Sequence, residues 1–132
     1  MNLDLVPRSE DVYRVLRRTY LSSNATADGT GLASGRFAAI KPGWRGSFGN
    51  ITLNATGTPV AGSILRMALY NLPSTTVLGG HTWKVGPFDQ GINSIAVSPA
   101  IDLPGGVDLL WSVTVAAGAF VVVNLYGDLI RV

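Results

Sequence analysis

Catalysis needs side chains that hold, give or take a proton, or that present a nucleophile. From residue 35 onward the chain offers one histidine, His81, and four carboxylates, Asp89, Asp102, Asp108 and Asp128. A Ser-His-Asp arrangement would have to use His81, yet no G-x-S-x-G elbow frames a serine, and His81 follows "LGG" in a turn-like context. The aspartates stand in "FDQG", "IDLPGG" and "YGDL", where a short acid bonds to nearby backbone amides. No D-x-D-x-D-G loop is present for calcium, and one histidine with scattered aspartates is a weak metal set. The chain has no cysteine, which excludes disulfides, thiolate zinc sites and cysteine nucleophiles. The strings "DGTG" and "GG" do not join a strand to a helix, so they do not cradle phosphate. These residues predict no catalytic site, no metal and no cofactor.

The remaining chemistry is that of binding. Trp111 shares a period-two face with Leu109, Val113 and Val115 and reads as core, and Trp83, with His81 and Val85, reads as core or interface. Trp44 stands in "KPGWRG" beside Lys41 and Arg45, in what reads as an exposed inter-strand loop. Such a ring stacks on a sugar or anchors a protein interface. Trp44, Arg45 and Tyr70 are therefore the candidate glycan-binding residues.

The elements that must position these groups follow from composition and periodicity. A chain of 132 residues, 47% of them apolar, makes one domain with one core. Sixteen glycines and seven prolines imply frequent turns, while the apolar content is too high for disorder. A net charge of +2 is too weak a field to make nucleic acid or an anionic membrane the principal partner. Apolar runs such as "AAGAFVVV" fall short of the roughly 20 residues of a membrane helix. The start "MNLDLVPRSEDVYRV" places acids where a secretory signal would be basic and apolar. Three Asn-x-Thr triplets, at Asn24, Asn50 and Asn54, read as unmodified turn and exposed-strand residues.

Charge divides the chain. Residues 1–21 hold seven charged residues, and the other 111 hold eleven. Ser9 is a good N-cap, Glu10 and Asp11 suit a first turn, and at 100° per residue Val12, Val15, Leu16 and Thr19 share a stripe opposite Arg14, Arg17 and Arg18. Residues 1–21 are thus expected to form an amphipathic helical arm, and "SSNATADGTGLAS" a Gly/Ser-rich linker over 22–34. The arm's stripe packs on its own body or a sister subunit, or docks on another protein.

Residues 35–132 read as all-β, with strands near 35–41, 47–55, 63–71, 81–86, 92–98, 107–116 and 119–126, and a short closing strand over 129–132. Ile51 and Leu53 alternate with Asn50, Thr52 and Asn54; Leu65, Met67 and Leu69 alternate with Ile64, Arg66, Ala68 and Tyr70. Two sheets that bury one face each against the other satisfy this pattern, which predicts an antiparallel β-sandwich of jelly-roll type behind the helical arm. "AFVVVNLY" is apolar on both faces, so Phe120 and Val122 require cover from the arm or from another chain. Val12, Arg14, Val15, Leu16, Arg17, Arg18, Phe120 and Val122 are the candidate partner-binding residues.

The stretches "GNITLNATGTPVAGSILRMALYN" and "HTWKVGPFDQGINSIAVSPAIDLPGGVDLLWSVTVAAG" resemble a β-sandwich domain of tailed-bacteriophage virion proteins, found in tail fibres, tail tips and head decorations. The matching positions are Arg66, Leu69, Tyr70 and Asn71, then Leu103, Pro104, Gly106 and Trp111, within residues 47–126. "PGGVDLLW" departs from the shorter family form by two residues before the aromatic. The resemblance implies a structural role in the virion with no catalytic residues to carry over. It implies a capsid decoration (cement) protein or a head or tail accessory protein, partnered by the major capsid protein or another virion component. A homo-oligomer, with a trimer at a symmetry axis, follows from it. The alternative is a carbohydrate-binding receptor module of a phage fibre.

Overall fold

The structure, a computed structural model, describes residues 16–71, 76–89 and 93–131. It has eight strands among these residues: β1 (Leu16–Thr26), β2 (Leu32–Phe37), β3 (Trp44–Ala55), β4 (Leu65–Asn71), β5 (Thr76–Val85), β6 (Ser94–Pro104), β7 (Asp108–Thr114) and β8 (Phe120–Arg131). They form two antiparallel four-stranded sheets, sheet A in the order β1-β8-β3-β6 and sheet B in the order β2-β7-β4-β5. The pairs β1/β8, β2/β7, β3/β6 and β4/β5 are all antiparallel. The chain is therefore one long hairpin with β4/β5 at its tip, and successive rungs fall alternately in sheet A and sheet B. That winding is the eight-stranded jelly roll.

Alternation in the sequence places the core between the sheets. Ile51 and Leu53 of β3, Leu65, Met67 and Leu69 of β4, Leu109, Trp111 and Val113 of β7, and Val121, Val123 and Leu125 of β8 are all buried. Phe37, Phe48, Phe88, Ile101 and Leu103 fill the space between them. Trp111 is core, as its period-two neighbours predict.

The helical arm and the linker are corrected where the structure describes them. Val12, Arg14 and Val15 lie outside the described residues, but Leu16–Leu21 are strand, and β1 runs on through Ser22–Thr26. Eleven consecutive residues of β1 pair with β8, from Leu16↔Ile130 to Thr26↔Phe120. A ladder of that length outweighs the helical stripe, because Thr, Ser and Asn between 19 and 26 are weak helix formers that tolerate extended backbone. Leu21 and Ala25 pack against the core cluster, and Ser23 is buried. Of the expected linker, residues 32–34 belong to β2, so only a tight turn separates the two strands. Residues 129–131 are no separate strand; they continue β8.

The turn between β1 and β2 is built around Asp28. Its Oδ1 accepts bonds from Thr30 Oγ1 (2.6 Å), Thr30 N (2.8 Å) and Leu32 N (3.1 Å). Gly31 (φ 86°) is required here, since a Cβ would lie 2.1 Å from the Val115 carbonyl oxygen. The Thr30 hydroxyl, then the Thr30 and Leu32 amides, hold the Asp28 carboxyl below its ordinary value. The folded form thus gains from the ionised acid above the unfolded value, and that gain is lost as pH falls through the depressed folded value. Protection of the Thr30 and Leu32 amides, relative to their intrinsic exchange rates, is expected to fall selectively as pH drops through the depressed value, and Asp28→Ala to show the lowered protection already at neutral pH.

One buried polar relay ties the sheets together. Trp111 Nε1 donates to Ser23 Oγ at 2.8 Å, and the Ser23 hydroxyl donates to the Arg36 carbonyl at 2.8 Å. Ser23→Ala strands the indole N–H in the core, and its expected cost is about 1–3 kcal/mol in urea denaturation. A loss of a few tenths, as at an exposed serine, would contradict the relay.

Candidate interaction surfaces

The outer face of sheet A is read row by row from the register. Arg18 stands opposite Asp128 and pairs with it at 3.5 Å, both exposed to solvent, which makes the pair a weak one. Tyr20 stands opposite Tyr126, their rings stacked at 5.9 Å and 29°. Tyr20, Tyr126 and Phe120 are 62%, 43% and 41% exposed, unusual for residues of this size. Val122, half-buried, lies between Phe120 and Tyr126 along the same face of β8. Toward β3 and β6 the face turns polar: Asn124 Nδ2 donates to Thr52 Oγ1 (3.2 Å), Ser94 Oγ donates to Asn50 Oδ1 (2.7 Å), and Asn93 bonds Asn54. The result is a stacked tyrosine pair at one end of β1 and β8 and Phe120 with Val122 at the other, separated by Asn124 and Ser22 and bordered by a polar ladder.

Of the partner-binding residues expected from the sequence, this face brings together Arg18, Phe120 and Val122. Leu16 and Arg17 pair through the backbone with Ile130 and Leu129. Tyr126 lies on the face of β8 that the sequence reads as needing cover, with Phe120 and Val122, whereas Tyr20 escaped, because a helical reading of 9–21 separates it from β8; a period-two reading of 16–26 would have found it.

The residues of the expected glycan set are divided between the two sheets. Trp44 is not in a loop: it opens β3, is half-buried against the core cluster, and has the Arg131 guanidinium 6.0 Å from its ring centroid. Arg45 pairs with Asp102 at 3.8 Å. Tyr70 belongs to β4 of sheet B, opposite Asp108 and Val77. Sequence proximity to Trp44 thus places Arg45 on the same strand, while Tyr70 falls in the other layer.

Three of the four carboxylates from residue 35 onward are held in ion pairs. Asp102 and Asp128 lie in strands rather than turns and pair with Arg45 and Arg18. Asp108, largely buried, pairs with Arg36 at 3.1 Å across 72 residues of sequence. His81 lies in β5. Among the described residues no group of three or more His, Cys, Asp or Glu is placed to hold a metal ion, and no helix is long and apolar enough to cross a membrane.

The outer face of sheet B carries a groove of about 950 Å³ that crosses all four strands. One register row across it reads Ser34, Ser112, Arg66, Lys84, and the next outward row reads Arg36, Leu110, Ala68, Thr82. No carboxylate lines it. This groove is invisible in the sequence, since its residues come from four separate runs that only the strand order aligns.

No protein-family model and no curated protein matches the chain. Similar solved structures include the core of Drosophila NLP, described for pentamer formation and histone binding (12% identity, 84% of this chain and 99% of that one, TM-score 0.44). Tomato aspermy virus is another (15% identity, 98% and 95%, TM-score 0.43). A third is the capsid structure of Helicobacter pylori bacteriophage KHP30 (14% identity, 89% and 98%, TM-score 0.38). With TM-scores below 0.5 these likenesses carry no argument of their own, and the fold assignment rests on the strand order.

Proposed function

We propose that the chain is a non-enzymatic structural protein of a virus particle. Following the sequence resemblance, it is a capsid decoration (cement) or head or tail accessory protein of a tailed phage. It sits in the virion as a homo-oligomer, a trimer by that resemblance, on the major capsid protein or another virion component. The observation that carries this reading is the outer face of sheet A, where Tyr20, Tyr126 and Phe120 stay exposed on a jelly-roll scaffold. Three exposed aromatics on one sheet face suit burial between chains better than free solvation. The same fold engages Asp102, Asp108 and Asp128 in ion pairs, leaving little for acid-base chemistry. The fibre-module alternative would have to draw its contacts from both layers, since Trp44 and Arg45 belong to sheet A and Tyr70 to sheet B.

The test is quantitative mass spectrometry of particles purified from the virus that encodes the chain. A fixed ratio to the major capsid protein is expected; absence from washed particles contradicts the reading.

A further inference from the structure

We propose that the groove on the outer face of sheet B binds an acidic saccharide, a site separate from the association face on sheet A and independent of the particle role. Arg66 and Lys84 are direct register partners on adjacent antiparallel strands. Like charges placed opposite each other cost stability unless an anion lies between them. Neither has an ion-pair partner among the described residues, both are exposed, and no carboxylate lines the groove. Arg36 differs, because Asp108 already holds it at 3.1 Å. The unmatched charge is therefore the Arg66/Lys84 pair, at the β4/β5 side of the groove.

The chemistry beside that pair selects the ligand. Ser112 and Ser34 continue the same row away from Arg66, and strand spacing of about 4.8 Å gives a strip of donors across roughly 15 Å. A carboxylate or sulfate placed on the two cations leaves the rest of a short oligosaccharide beside these hydroxyls, which exchange hydrogen bonds with sugar hydroxyls. The next outward row, about 7 Å along the strands, offers the apolar Leu110 and Ala68 with Thr82 at the edge, a floor suited to the C–H face of a pyranose. A nucleic acid is disfavoured by the small number of free cations, and of the two rings that line the groove, Trp111 is buried and Trp83, half-buried, packs against the core cluster. An acidic peptide would need pockets for side chains, and a floor of alanine and leucine gives it none.

Titration calorimetry on the full chain tests this, with a heparin-derived tetrasaccharide and 3′-sialyllactose as sulfate and carboxylate probes. Neutral chitotetraose and oligothymidylate serve as comparison ligands. Saturable binding of one copy of either acidic sugar is expected. It should weaken about tenfold or more in Arg66→Gln and in Lys84→Gln, as loss of a charged hydrogen bond requires. Ser112→Ala should weaken it less, and Arg45→Gln on sheet A should leave it unchanged. Both groove variants should melt at or above the parent temperature, because each removes one of two facing like charges. Binding of neither acidic sugar, equal binding of chitotetraose, binding that survives both groove substitutions, or tighter binding of oligothymidylate would each overturn the proposal.

Discussion

Gly127→Val is expected to unfold the domain, or to lower its stability by about 3 kcal/mol or more. Gly127 lies in β8 with β1 on one side and β3 on the other, opposite Thr19 and Phe48. A Cβ there would meet the Ser47 carbonyl oxygen at 2.0 Å and Phe48 Cα at 2.7 Å, both backbone atoms that cannot rotate aside. Relief would require β3 and β8 to part, and β3 and β8 are the two central strands of sheet A. Gly49 is the matched comparison: it sits at the same irregularity in β3, but its nearest neighbour is Ala100 Cβ at 4.0 Å. Gly49→Ala should therefore stay close to the parent in chemical denaturation. Equal, small effects at both positions would show that the β3/β8 contact is looser than described.

The second large effect is removal of residues 1–26. Had 1–34 been an arm and a linker, the remainder would fold unaided. In the structure that cut removes β1, and with it eleven register pairs on β8, Leu21 and Ala25 from the core margin, and Ser23 from the relay to Trp111. It also uncovers one long edge of a strand rich in valine, an aggregation-prone template. The truncated chain should precipitate, or lose its sheet-like circular dichroism and its cooperative melt. A soluble product with the parent's melting temperature would mean that β1 contributes nothing to the domain.

What the sequence revealed divides along physical lines. β3, β4 and β7 were legible because each alternates strongly between apolar and polar residues, and their buried sets, such as Ile51/Leu53 and Leu109/Trp111/Val113, emerge as read. β1 was not, because its inward residues are Thr19, Leu21, Ser23 and Ala25, a sequence with little hydrophobic contrast. Its strand state comes from pairing with a segment a hundred residues away, and no local window contains that information. The double apolarity of β8 divides by face: Val121, Val123 and Leu125 are buried between the sheets, while Phe120 and Tyr126 stay exposed on the outer side. Contacts such as Arg36 with Asp108, and the alignment of Arg66 with Lys84 and Ser112, depend on register across four strands. Trp44 misled because "KPGWRG" carries turn residues on both sides, while the ring itself lies at the first position of a strand.

Sedimentation equilibrium of the full chain, set beside the double variant Phe120→Ser/Tyr126→Ser, bears most directly on the claim that sheet A's outer face joins copies of the chain. The parent should associate to a defined oligomer as its concentration rises, and the variant should remain monomeric with the same circular dichroism and melting temperature. A parent that stays monomeric at every concentration, or a variant that associates as the parent does, would contradict it.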